Sequence, residues 1–335
     1  MKIRIVEITL LLVLTNGVVW GASPSVRVRS SLAQINCSPI GRIMNDGDLY
    51  WKAGSLLCKG DRLEPIKGKS VQVLCYLTRQ VLYLKAGLVS ELEKKCVPPS
   101  TTPMPCSIEN RSNCLQPKGP IAASGVPSVI SPYGSEIATI RPLLAWHSVA
   151  GATGYIVRVE GRGVAWEKSV DAATLRLAYP TNKPSFMFGN AYKITAIANK
   201  GNAPFKADSS VANVLPENTI KRVFDVARKI KGLNLIPDEA ALLDLDAIYM
   251  SENLLDESIK ALEKVSKTTS NPSVKRLLGD RYLEAGLTRE AIYSYEAALE
   301  LANKKKDREE LSKAKIGIET AIFYSQLPKS RNPDQ

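Results

Sequence analysis

The distribution of cysteine most constrains how this chain can fold. All six cysteines lie between positions 37 and 114 of the 335 residues, and none follows them. Six cysteines can form three disulfides, and in the chain-entropy model each closed loop of about 15 residues contributes roughly 3 kcal/mol by restricting the unfolded state. We therefore expect a small disulfide-linked domain at this end, followed by domains that rely on apolar cores.

The pairing of these cysteines is only partly constrained. Six cysteines allow fifteen connectivities, and the sequence favours one local pair, Cys106 with Cys114, because prolines precede it and a polar loop joins it. The expected disulfide residues are Cys37, Cys58, Cys75, Cys96, Cys106 and Cys114. Zinc is the alternative, but the chain has no Cys-x-x-Cys and a single histidine, so no metal site is predicted.

The N-terminus has the pattern of an export signal. Lys2 and Arg4 precede a mostly apolar run from Ile8 to Leu14, and small residues follow at Gly21 and Ala22. This order predicts a signal peptide over residues 1–22. Polar residues interrupt the segment before the roughly 20 apolar residues that a membrane anchor needs. We expect an exported protein, periplasmic or extracellular, with no stable membrane span after processing.

The positive charge is concentrated in one part of the chain. The formal net charge is +12; residues 22–216 hold 23 Lys and Arg against 12 Asp and Glu, whereas residues 217–335 hold 20 of each. A basic exported surface can attract an anionic envelope polymer through long-range electrostatics and counterion release. Solubility alone is the simpler interpretation. No nucleic acid partner is expected outside the cell.

Residues 31–96 read as a small β domain in which short apolar runs alternate with glycine turns. The segments Ile40–Ile43, Gly54–Leu63 and Gly68–Leu74 resemble the periplasmic FecR-type β domain, with its glycine-rich strand, Gly-Asp turn and alternating apolar strand. This resemblance implies a disulfide-linked variant of that fold and a role in envelope signalling. Residues 97–126 follow as a proline-rich linker that carries the expected Cys106–Cys114 loop.

Residues 127–215 show the period-two alternation of antiparallel strands. Tyr155, Val157 and Val159 share one face, and Gly161–Gly163 supplies a hairpin turn. The segments around Trp146, Gly151–Val157 and Ala191–Ala196 resemble a fibronectin type III module. That resemblance implies a β-sandwich whose tryptophan and tyrosines are core residues, and adhesion-like display without chemistry.

Residues 217–326 change to the 3.6-residue period of amphipathic helices. A pattern of apolar and small residues recurs after 33 positions: Leu245, Tyr249, Ser258, Leu262 and Val265, then Leu278, Tyr282, Ala291, Tyr295 and Ala298. The second set, which begins with Leu278-Gly279, resembles the tetratricopeptide repeat, in which a small residue at a helix crossing accommodates a large one from the partner helix. Asp246 departs from this rule. Residues 327–335 are expected to be a disordered tail.

The tetratricopeptide resemblance implies a concave groove that binds a protein or peptide. The residues that it assigns to this face are Ala247, Met250, Arg276, Asp280, Leu283 and Glu284. The alternative is a solvated helix face on which Arg276 and Asp280 form an ordinary pair at helical spacing, worth a few tenths of a kcal/mol.

The predicted fold class is therefore multidomain, β then α: a small disulfide-linked β domain, an antiparallel sandwich and a helical hairpin array. No nucleophile elbow, metal-protease motif or phosphate loop accompanies His147, so no catalytic, cofactor-binding or metal residues are predicted. The expected function is a non-enzymatic envelope scaffold or adaptor. The alternatives are a sensor or regulatory component of envelope signalling, and a hydrolase whose site lies between modules.

Overall fold

The structure is a computed structural model that describes residues 27–85, 90–91, 96, 115–117, 125–133 and 136–326. The predicted signal peptide, the Cys106–Cys114 pair, most of the linker and the C-terminal tail lie outside these residues. Within them, no helix is both long and apolar enough to cross a membrane.

The first region is a four-stranded antiparallel sheet in the order β2-β1-β4-β5, with a separate pair formed by β3 and β6. The strands are β1 (Pro39–Ile43), β2 (Leu56–Cys58), β3 (Arg62–Leu63), β4 (Ser70–Cys75), β5 (Gln80–Lys85) and β6 (Ser90–Glu91). Two disulfides link this region, Cys37 with Cys58 and Cys75 with Cys96. Four of the six predicted disulfide cysteines are thus paired, as expected.

Both faces of this first sheet are covered. On one face Val71 and Val73 of β4 pack with Trp51 and Leu84 in a local core. On the other face Met44 and Leu74 belong to an apolar cluster made largely of helical residues from the end of the chain. The sheet is therefore the middle layer between two cores, which explains why β4 is buried along most of its length.

The second region is a two-layer β-sandwich. A five-stranded sheet in the order β11-β10-β13-β14-β8 faces a three-stranded sheet in the order β12-β9-β7. The strands are β7 (Val129–Ser131), β8 (Glu136–Ile137), β9 (Leu144–Trp146), β10 (Gly154–Gly161), β11 (Val164–Asp171), β12 (Arg176–Leu177), β13 (Ala191–Lys200) and β14 (Ala203–Val214). Tyr155, Val157 and Val159 point into the shared core, as their alternation predicts.

The third region is helical, with six helices among the described residues. They are α1 (Glu217–Gly232), α2 (237–250), α3 (Leu255–Ser266), α4 (Pro272–Glu284), α5 (Thr288–Lys305) and α6 (Arg308–Gln326). The middle of α2, Ala240–Leu245, is π-helical. Helix α4 begins where the Asn271 side chain accepts a 3.0 Å hydrogen bond from the Ser273 backbone and Pro272 occupies the first turn.

Tyr295 of α5 shows the predicted packing of a large ring against small residues. A Cβ atom added to Gly279 of α4 would lie 2.7 Å from the Tyr295 ring, and one added to Gly317 of α6 would lie 2.6 Å from it. The ring therefore occupies the space that these two glycines leave, and it holds three consecutive helices together.

Candidate functional site

A buried ion pair joins the first β region to the helical region. Arg42 on β1 donates from Nε to both carboxylate oxygens of Asp244 on α2, at 2.8 and 3.0 Å, and both side chains are fully buried. Tyr76 also donates to Asp244, at 2.7 Å, and Arg42 donates to the Gly54 carbonyl at 2.6 Å. We call this contact, with the apolar cluster around Leu74, the first seam.

The electrostatics of the first seam favour specificity over stability. Burial raises the pKa of Asp244, and Arg42 and Tyr76 counteract this by binding the ionised carboxylate. Burial also raises the pKa of Tyr76 well above its usual value, so the phenol stays a donor. One guanidinium nitrogen of Arg42, Nη2, has no partner among the described residues. A buried pair of this kind fixes a docking geometry more than it adds net stability.

A groove opens beside the first seam, between β5 and α1. Its volume is about 690 Å³, and it is lined by Tyr83, Asn218, Lys221, Arg222, Asp225, Val226, Arg228 and Lys229. The α1 residues recur at intervals of three and four, so they share one face of that helix. We call this site the cationic groove.

The cations of this groove differ in how far they are neutralised. Arg222 pairs with Glu252, and Arg228 pairs with Asp225 at 2.9 Å. Lys229 donates to the neutral amide of Gln72 at 3.1 Å. Lys221 makes no ion pair or hydrogen bond among the described residues. The excess positive charge of the groove therefore comes from its two lysines.

The six residues predicted to line a peptide groove differ in accessibility. Ala247, Met250, Leu283 and Glu284 are buried within the chain, so their side chains are covered in this structure. Arg276 and Asp280 remain partly exposed and form the 2.6 Å pair expected at helical spacing. Arg276 also binds Glu310 of α6 at 2.7 Å, which closes part of this face.

Asp246, the departure from the small-residue rule, has a defined role in packing. It accepts hydrogen bonds from Nε and Nη2 of Arg281, both at 2.6 Å, and from Ser258 at 2.6 Å. Arg281 pairs as well with Glu284. A buried bidentate arginine pair thus joins α2 to α4 at this crossing.

His147 follows β9 and contacts the helical region. Its Nε2 lies 3.0 Å from Oε1 of Glu290 on α5, and the two side chains are 24% and 29% exposed. Burial alone would raise the pKa of Glu290, but the hydrogen bond and charge of His147 lower it. The Ser128 carbonyl accepts from the His147 backbone at 3.0 Å, while the buried Ser128 hydroxyl has no partner among the described residues. The contact is therefore an acid-histidine pair.

Tyr133, beside β7, makes a second contact with the helices. Its ring meets that of Tyr282 on α4 edge to face, with centroids 6.2 Å apart. Ile130 and Tyr133 both pack against the helical core. We call these contacts, together with His147–Glu290, the second seam.

No cluster of three or more His, Cys, Asp or Glu side chains suited to a metal ion occurs in the described ranges.

The sequence does not predict the residues of the first seam as a set, although one sequence feature marks them. Arg42 and Asp244 are single charges in otherwise apolar segments, a pattern that indicates buried pairing.

Comparisons with known proteins do not identify a family for this chain. No protein family and no curated protein matches the chain. Among solved structures, it is similar to the fn3 domain of human collagen alpha-1(XX) chain, at 17% identity over 28% of this chain and 90% of that chain, with a TM-score of 0.22. It is also similar to the FN1-FN3 domains of chicken CNTN1, at 17% identity over 28% of this chain and 31% of that chain, with a TM-score of 0.19. At these TM-scores the likenesses support no conclusion, and the three family resemblances stay predictions.

Proposed function

We propose that this protein is an exported, non-enzymatic scaffold or adaptor that binds proteins or envelope components. The observation that carries the proposal is the first seam. Its buried Arg42–Asp244 pair and shared apolar cluster make the first β region and the helical region one body. Surfaces on the two regions therefore keep a constant relative position, which is what a scaffold requires.

Two surfaces support binding by this body. The cationic groove offers a concave positive site for an anionic envelope component. The partly exposed Arg276 and Asp280 remain candidates for contact with a protein or peptide. The two disulfides are compatible with export into an oxidising compartment.

The test uses the full-length protein immobilised as a bait for an envelope extract. Retained components are identified and purified. Their binding to the protein in solution is then measured by calorimetry. We expect at least one to rebind with a dissociation constant in the micromolar range or tighter, without being chemically converted. Rebinding by none of them, or conversion of a component that stops when one side chain is replaced, would overturn the scaffold proposal.

A further inference from the structure

We propose that the cationic groove binds a linear anionic polysaccharide, with one sugar ring stacked on Tyr83 and acidic groups of the chain bound by Lys221 and Lys229. The inference rests on the proposed function, because it names the partner class of a site on the same body. It depends on three properties of the groove: an exposed aromatic ring, two lysines that form no ion pair among the described residues, and a concave shape.

The aromatic ring is available and projects from a paired strand. Tyr83 is 62% exposed although it lies on a strand of the first sheet. It pairs across that sheet with Gln72, the residue to which Lys229 of α1 donates. The helix thus approaches this face of the sheet without covering the ring. An aromatic side chain on a strand presents a flat apolar face at little cost in conformational entropy, and such a face suits the C–H face of a sugar ring.

The two lysines are positioned for a chain of repeated charges. Lys229 lies eight positions after Lys221, which places the two residues about 12 Å apart along the axis of α1 at a rise of 1.5 Å per residue. The two arginines of the groove are engaged by Asp225 and Glu252, so the lysines carry the attraction for an external anion. An ammonium group is a compact positive charge that binds carboxylates or sulfates in many orientations. This suits a polymer whose acidic groups recur along its length.

The same features favour a polysaccharide over two other polyanions. A lipid headgroup surface is planar, whereas this groove is a depression lined by β5 on one side and α1 on the other. Proteins that bind single-stranded nucleic acid combine a basic groove with successive aromatic platforms. Among the residues that the structure describes, Tyr83 is the single aromatic side chain lining this groove.

The experiment measures binding of the full-length protein to four probes: polygalacturonate oligosaccharides, neutral dextran, inorganic polyphosphate, and vesicles of phosphatidylglycerol. We expect polygalacturonate to bind and dextran not to bind. Tyr83→Ala should weaken polygalacturonate binding by about tenfold, an effect of the size seen when alanine replaces an aromatic ring that stacks on a nucleic-acid base. Tyr83→Phe should bind as the native protein does.

The lysines are tested by the double variant Lys221→Ala with Lys229→Ala. We expect it to reduce the slope of log affinity against log salt by about 1 per lysine removed, as for other polyanion contacts. The matched control is Lys168→Ala with Lys193→Ala, which removes the same charge from exposed positions of the sandwich. It should leave affinity and slope unchanged.

The outcomes separate this inference from the scaffold proposal. Binding of polygalacturonate that Tyr83→Ala does not weaken would refute stacking of a sugar ring. Binding of polyphosphate or vesicles that is as tight as that of polygalacturonate would refute selection of a polysaccharide. Absence of binding to every anionic probe would refute an anionic ligand at this site. Rebinding of an envelope component in the bait experiment would still support a scaffold in each case.

Discussion

The two seams join the same helical region to different β regions, and they do so by different physical means. The first seam has an ion pair with no exposed surface and an apolar cluster drawn from both sides. The second seam has an ion pair whose side chains are about a quarter exposed, an edge-to-face ring contact, and apolar packing of Ile130 and Tyr133 against the helical core. The first resembles the interior of a domain, and the second resembles a contact between surfaces.

This difference indicates which parts of the molecule behave as one unit. A fully buried pair is shielded from water and salt. Removing one partner therefore leaves the other charge buried and uncompensated. A partly exposed pair is screened by salt and contributes at most about 1 kcal/mol. We therefore expect the first β region and the helices to unfold together, while the sandwich can detach at lower cost.

The largest effect is expected at the first seam. Asp244→Ala leaves the guanidinium of Arg42 buried without its partner, which should lower the free energy of unfolding by about 3–5 kcal/mol. Urea denaturation followed by circular dichroism measures this loss. The double variant Arg42→Met with Asp244→Leu removes both charges and should recover most of the stability. If the free energy of unfolding of Asp244→Ala lies within about 0.5 kcal/mol of the native value, the proposed difference between the seams is refuted.

The next effect is expected inside the helical region that both seams contact. Gly279→Ala places a Cβ atom 2.7 Å from the Tyr295 ring. Overpacking should cost about 1–3 kcal/mol, more than the gain in helix propensity of up to about 1 kcal/mol. The control is Gly232→Ala, where a Cβ atom meets nothing within 4 Å. Thermal melts should rank Gly279→Ala below the native protein and the control at or above it; the reverse order would contradict this packing.

The ring contact of the second seam should matter less. Tyr133→Ala removes the contact with Tyr282 and should cost about 1 kcal/mol. Tyr133→Phe is the control, because burial raises the pKa of Tyr133 to about 12 and the native phenol is already neutral at working pH. Hydrogen exchange should show faster exchange of Ile130 and Ser131 for the alanine variant and unchanged rates in β4. Faster exchange in both places would mean that the seams are not independent.

The smallest effect concerns pH at the second seam. The pKa of folded Glu290 lies below its ordinary value of 4.5, so the folded protein binds fewer protons than the unfolded chain between these two values. The stabilisation that the lowered pKa of Glu290 provides is complete above about pH 4.5 and is lost as the pH falls through the pKa of Glu290 in the folded protein. Glu290→Gln should remove this part of the acid sensitivity, at most about 1 kcal/mol.

Urea midpoints measured at several pH values between about 3 and 6 detect this change. The control is Glu296→Gln on the same helix, whose exposed carboxylate makes no ion pair among the described residues. An acid response that is the same in the Glu290 variant and the native protein would show that the pair with His147 is not formed in solution.

Much of the fold could be predicted because it depends on local pattern. The alternation around Val157, the turn before Val164 and the period of α4 and α5 each follow from neighbouring residues. The Arg42–Asp244 pair could not be predicted in this way, since 202 positions separate its members. The partner of Asp246 was hidden for the same reason, because Arg281 lies 35 positions away.

The cationic groove cannot be predicted from charge averaged over long segments of the sequence. Residues 217–335 hold equal numbers of basic and acidic residues. Helix α1 alone holds five basic and two acidic residues, and the compensating acids lie elsewhere in the segment. Tyr83 reaches the groove from another region of the chain, so no local motif links it to Lys221.

The shared first sheet has a consequence for the order in which the protein matures. A ribosome completes β4 long before it makes α2, because the whole sandwich is encoded between them. Until the last third of the chain emerges, no helix covers Met44 and Leu74. This apolar face can then associate with other chains. A shortened product that stops after the sandwich would therefore be prone to aggregate, and the first region would need a chaperone or its own distal helices to stay dispersed.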